Sequence, residues 1–168
     1  MGIVYDSLGD YENALAHHQK ALDIYLRALG PDHVSVAATY CNMGIVYRKQ
    51  GNLEKALEMY EKDLEITKKC LGDSHVNCAM TLGNMALVHS TLGQKEEAVD
   101  KSRQAHRIFL EKLGPNHPST LLEARNLSRH SAGIRFTYAN CFMLVQRLVG
   151  TWLTVLFHRI SVNLTEGR

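Results

Sequence analysis

Apolar positions across residues 33–74 recur at helical spacing. Val36, Tyr40, Met43, Gly44 and Tyr47 fall on one face, in the three-and-four step of an amphipathic helix. They predict a helix from Val34 to Gln50. Leu53, Ala56, Leu57, Tyr60, Leu64 and Leu71 form a second stripe and predict a helix from Leu53 to Leu71. Gly51-Asn52 divides the two: glycine suits the left-handed position after a helix end, and asparagine is a good N-cap. Gly72 ends the second helix, and Asp73-Ser74-His75 leads into the next one. Pro31, Pro115 and Pro118 all sit in such corners, where a missing N–H costs nothing.

The same pattern returns at a step of 42 residues. Met43-Gly44-Ile45-Val46-Tyr47 repeats Met1-Gly2-Ile3-Val4-Tyr5. Leu29-Gly30-Pro31-Asp32-His33 returns as Leu71-Gly72-Asp73-Ser74-His75 and as Leu113-Gly114-Pro115-Asn116-His117. Gly9, Gly51 and Gly93 keep the step, as do Ala14, Ala56 and Ala98; Ile24, Ile66 and Ile108; and Asn42, Asn84 and Asn126. A period in this range signals stacked repeats, each burying its apolar face on its neighbours. The expected organisation is a truncated first repeat (1–32), two full repeats (33–74 and 75–116), the first helix of a fourth (117–128) and a divergent tail (129–168). Met1 aligns with Met43, inside the first helix. The chain therefore reads as a fragment of a longer protein, or as one begun at an internal methionine.

The small residues carry a packing expectation. Gly2, Gly44 and Ala86 on the first helices, with Ala14, Ala56 and Ala98 on the second, let paired helices approach closely. Tyr5, Tyr47 and His89 are expected to fill the space one turn on. This order, seen as Tyr40, Met43, Gly44, Tyr47, Ala56 and Tyr60, resembles the tetratricopeptide repeat family. A further alanine column matches at Ala21 and Ala105 but holds Asp63 in the second repeat, so one contact there must differ. The long step and the Leu-Gly-x-x-His corner are similar to the 42-residue repeats of kinesin light chain and nephrocystin-type proteins. The eight residues beyond the common 34 add roughly 12 Å of helix at 1.5 Å per residue. HEAT and armadillo repeats share the period but lack this Gly/Tyr/Ala order.

The resemblance implies an all-α, right-handed superhelical stack of antiparallel helix pairs, about three repeats followed by a divergent C-terminal helical tail. It also implies a non-catalytic adaptor or scaffold, with the first helices lining a concave, peptide-binding groove. Carried over by column, the groove residues are Ala38, Cys41, Asn42, Ile45, Arg48 and Lys49, then Met80, Asn84, Leu87 and Ser90, then Leu122, Arg125 and Asn126. An asparagine side chain offers a donor and an acceptor to a peptide group, unless it bonds within its own repeat. Arg48, Lys49 and Arg125 suggest a partner segment with acidic residues around an apolar anchor, unless they form an ordinary solvated face. The alternatives are a structural spacer within a longer protein, a stack that self-associates through its open ends, and a membrane-tethered form.

Composition narrows the field. Net charge is +2, yet residues 129–168 hold five arginines, no lysine and one glutamate, a break that marks a boundary. The four cysteines, Cys41, Cys70, Cys78 and Cys141, show no CxxC pair. Free thiols and the absence of a signal-peptide pattern suggest a cytoplasmic protein, so the Asn-x-Ser/Thr matches at Asn126 and Asn163 read as coincidence. His33, His75 and His117 recur one per corner without a recurring acidic or cysteine partner. They read as corner or capping residues rather than metal ligands. His17-His18 reads as solvated. No phosphate loop, HExxH or nucleophile motif occurs, so no enzyme activity, cofactor or metal is expected. The short basic pair Lys68-Lys69 is offset by Glu61, Asp63 and Glu65 and does not suggest nucleic acid.

In the tail the tyrosine, glycine and alanine columns fall on Ser131, Arg135 and Asn140. Residues 138–157 carry one charge, Arg147. Their length would allow a membrane span, with a central arginine costing about 2.5–3.5 kcal/mol. A helix capping the stack and a segment without stable structure are equally open readings.

Overall fold

The computed structural model describes residues 2–132. Contacts divide the chain into Met1–His130 and Ser131–Arg168. The second unit lies outside the described residues except at its first two positions, and so do all three readings of residues 138–157. The described part contains α1 (Gly2–Ser7), α2 (Tyr11–Leu29), α3 (Val34–Lys49), α4 (Leu53–Leu71), α5 (Val76–Thr91) and α6 (Lys95–Leu113). A seventh helix, α7, runs through 118–132. There is no strand among the described residues. The most extensive packing joins α3 to α4 and α5 to α6; α2–α3 and α4–α5 contacts link successive pairs. The structure is thus a stack of antiparallel helix pairs.

Each helix end uses the chemistry its corner provides. Gly51 and Gly72 adopt φ +82° and +87°, the left-handed region that residues with a Cβ avoid. The Asn52 side chain accepts the Lys55 amide, and Asp10, one repeat earlier, accepts that of Asn13. Gln94 stands in the same column but makes no side-chain cap. Its Oε1 lies 2.7 Å from His89 Nδ1 instead. The corner histidines are N-caps. His33, His75 and His117 each accept, at Nδ1, the amide of the residue two positions on, at 3.1–3.2 Å. This explains their recurrence without any metal.

Among the described residues, burial is divided among three small clusters, as stacked repeats require. Leu22, Val36, Met43 and Met59 form one; Ala56, Tyr60, Met85 and Val88 another; and Cys78, Ala79, Leu82, Ala105, Ile108 and Phe109 the third. The space beside Gly44 is filled by Tyr60, which is fully buried. A Cβ on Gly44 would come within 2.6 Å of its ring. Tyr47, expected in that role, packs between two of the clusters instead. One repeat earlier His18 occupies the Tyr60 position, and a Cβ on Gly2 would come within 2.7 Å of it. His18 is therefore buried rather than solvated, and that burial lowers its pKa. His17 stacks on Tyr5 at 5.1 Å. In the third repeat the corresponding residues are Ala86 and Ser102.

Candidate functional site

Two hollows open along the side formed by α3, α5 and α7. The first, about 190 Å³, is lined by Val34, Ala38, Cys41 and Asn42 of α3, Asp63 and Thr67 of α4, and Asn77, Met80 and Thr81 of α5. The second, about 250 Å³, is lined by Ala79, Met80, Gly83, Asn84 and Leu87 of α5, Phe109 of α6, and Ser119, Leu122, Glu123 and Asn126 of α7. They are one hollow built twice. Moving 42 residues on carries Ala38 to Met80, Cys41 to Gly83, Asn42 to Asn84 and Thr67 to Phe109. It also carries Asn77 to Ser119, Met80 to Leu122 and Thr81 to Glu123. Met80 lines both hollows. It and Leu122 are each 56% exposed, an apolar rim open to solvent.

The deeper residues are polar. Asp63 is buried, and its carboxylate accepts the hydroxyls of Thr67 at 2.9 Å and of Thr81. Burial still raises its pKa, against the lowering effect of those two hydroxyls and of Cys41. The Cys41 thiol is pushed up to about 12, first by burial and then by Asp63. The Asn84 amide reaches the Cys41 sulfur at 4.0 Å. In the second hollow Glu123 is 5% exposed. Its Oε2 accepts the Asn126 amide at 3.3 Å and would lie 3.1 Å from a Cβ on Gly83. Its Oε1 is buried without a hydrogen-bond partner, an arrangement that costs about 1–3 kcal/mol. His130, whose Nδ1 lies 3.1 Å from Ser102 Oγ, is also buried. Burial lowers its pKa; the Glu123 charge opposes this.

The residues expected from sequence divide into two groups. Cys41, Asn42, Met80, Asn84, Leu87 and Asn126 line the hollows, as do Ala38 and Leu122. Ile45 packs into the cluster around Tyr60. Arg48 is half-buried beside Tyr60, where its charge opposes the burial that pushes the phenol up to about 12. No well-formed hydrogen bond joins them, and Arg48 Nε and the Tyr60 hydroxyl are both buried and unpartnered. Lys49 pairs with Asp6 at 2.7 Å. Arg125 and Ser90 are exposed and line neither hollow. Asp63, Thr67, Thr81, Gly83 and Glu123 were not expected in the site. Asp63 breaks the column of Ala21 and Ala105, and Glu123 breaks that of Thr39 and Thr81. Those two departures were the available signal.

The tetratricopeptide repeat profile matches residues 1–69 and again 36–111. The chain belongs to the tetratricopeptide repeat family. Its repeats are also found in solved structures. A Podosopora anserina protein described as a kinesin light chain with nearly identical TPR-like repeats aligns at 25% identity and a TM-score of 0.69, over 77% of this chain and 62% of that one. A point variant of that same protein gives the same identity and score, over 61% of its length. BtubC (BKLC) from P. vanneervenii aligns at 21% identity and a TM-score of 0.70, over 79% of this chain and 52% of that one. The chain thus spans about half to three-fifths of the length of these relatives. A comparison with curated proteins finds no match. Repeats of this family are protein–protein interaction scaffolds. Among the described residues no helix is long and apolar enough to cross a membrane, and no group of three metal-ligating side chains occurs.

Proposed function

We propose that the chain is a non-catalytic adaptor that binds a segment of a partner protein along α3, α5 and α7. The observation that carries this reading is the duplicated hollow. Asn42, Asn84 and Asn126 recur at the repeat step along it, and a repeating row of amides suits the repeating main chain of a bound segment. Met80, Leu87 and Leu122 give that segment an apolar anchor point. Of the three charges expected to draw an acidic segment, Arg48 and Lys49 face Tyr60 and Asp6, so Arg125 alone supports that preference.

The test replaces Asn42 and Asn84 together by alanine in the full chain. An adaptor loses its partner in a pull-down while its helical circular dichroism is unchanged; a spacer is unaffected, which would refute the reading.

A further inference from the structure

Each hollow has one carboxylate in its floor, but the two come from different columns. Where α3 and α4 meet α5, Asp63 pairs with Thr81. One repeat on, the same two columns hold Ala105 and Glu123. The acid has moved from the second helix of one repeat to the first helix of the next, and the contact of Thr81 with Asp63 shows that these columns touch. One repeat earlier the columns hold Ala21 and Thr39, with no acid. Asp63 and Glu123 are 4% and 5% exposed, and Glu123 Oε1 has no partner.

Glu123, a buried carboxylate with one unpartnered oxygen, seeks a donor, preferably a charged one. The two Asp63 oxygens already accept the Thr67 and Thr81 hydroxyls and would be shared with an incoming donor. The rim above Glu123 is apolar, formed by Met80, Leu87 and Leu122. One side-chain class matches this layering: lysine and arginine carry a charged tip on an apolar stem that packs along such walls. We propose that the two hollows take basic side chains, lysine or arginine, from an extended segment of a partner protein, with Asp63 and Glu123 as the receiving carboxylates. The inference rests on the peptide-binding reading above and reverses the charge expected of that segment.

The probes are two labelled pools of short peptides with one fixed leucine, one pool carrying lysine and arginine and the other aspartate and glutamate. Fluorescence anisotropy with the full chain should show the basic pool binding at least about tenfold more tightly. The variant D63N/E123Q, with folding checked by circular dichroism, should lose about that factor, as should each single variant in part. E96Q/E97Q, which removes exposed charge from the start of α6, should bind like the parent. Equal loss in that variant would reduce the effect to general electrostatics and overturn the proposal. Acidic peptides binding as tightly, with both pools abolished by Met80→Glu, would leave the groove standing and remove its charge selection. Failure of both pools to bind would remove both. Spermidine competing as well as the basic peptides would mark a small-cation site and overturn the assignment to a protein segment.

Discussion

Gly44 and Tyr60 form a pair whose coupling can be worked from the structure. A Cβ on Gly44 would stand 2.6 Å from the ring of a tyrosine that has no room to retreat. Forcing a methyl into a packed site costs about 1–3 kcal/mol, and this contact belongs in the upper part of that range. Glycine-to-alanine in a helix returns about 1 kcal/mol of propensity. Gly44→Ala should therefore destabilise by about 1–2 kcal/mol, a drop in Tm of about 2–8 °C for a chain of this length. Tyr60→Ser alone should cost about 3–5 kcal/mol, as for other large aromatic deletions. Together they should not add. With the ring gone the new methyl loses its three nearest neighbours, so the double variant should lose about 2–4 kcal/mol, a coupling of about 2–3 kcal/mol. The third repeat already carries this combination as Ala86 and Ser102. Urea titrations of the four proteins, followed by circular dichroism, measure the cycle. Additivity within about 0.5 kcal/mol, or a Gly44→Ala protein as stable as the parent, would refute the packing account.

Three further outcomes are expected. Burial raises the Asp63 pKa in the folded state, so its stabilising contribution is complete below the ordinary value of 3.8 and is lost as pH rises through the raised value. Relative to the parent, Asp63→Asn should thus gain stability at pH 7 compared with pH 4; an unchanged difference in urea midpoint between the two pH values would refute this. Iodoacetamide mapping by mass spectrometry at pH 8 should modify exposed Cys70 well before Cys41, whose pKa is pushed up to about 12; preferential labelling of Cys41 would contradict its burial. His75→Ala should cost about 1 kcal/mol by removing the acceptor for the Asn77 amide, and His75→Asn should restore most of it; equal stability of all three would deny the cap its role.

The parts of this molecule set by local chemistry could be read directly. The helix from Leu53 to Leu71 needs only an apolar stripe, an Asn52 cap and the left-handed Gly72, and all three are local. The structure places that helix at those residues. The α3 helix ends at Lys49, one residue before the expected Gln50, which serves as its C-cap. Side-chain direction was less accessible. Arg48 and Lys49 follow the groove column by number, yet Arg48 lies half-buried beside the Tyr60 phenol without bonding it, and Lys49 pairs with Asp6 one repeat away. His18 reads as solvated in the sequence because the His17-His18 pair faces two directions on a helix. Its role becomes visible only through its alignment with Tyr60 and the glycine each of them covers.

Repeats make such substitutions intelligible in pairs rather than singly. A column is constrained by what it touches in the neighbouring repeat, so change at one position is answered across the contact. Glycine faces tyrosine at Gly44 and Tyr60, whereas alanine faces serine at Ala86 and Ser102. Aspartate meets threonine at Asp63 and Thr81, whereas glutamate stands opposite alanine at Glu123 and Ala105. The first exchange trades a buried ring for a smaller pair and concerns packing. The second conserves charge at a place where burial makes charge expensive. Stability would favour the uncharged Ala21 and Thr39 combination already present one repeat earlier. Keeping one acid in each of the two hollows makes sense if an external donor arrives there, and that is why the carboxylates, rather than the arginines, should decide what the trough accepts.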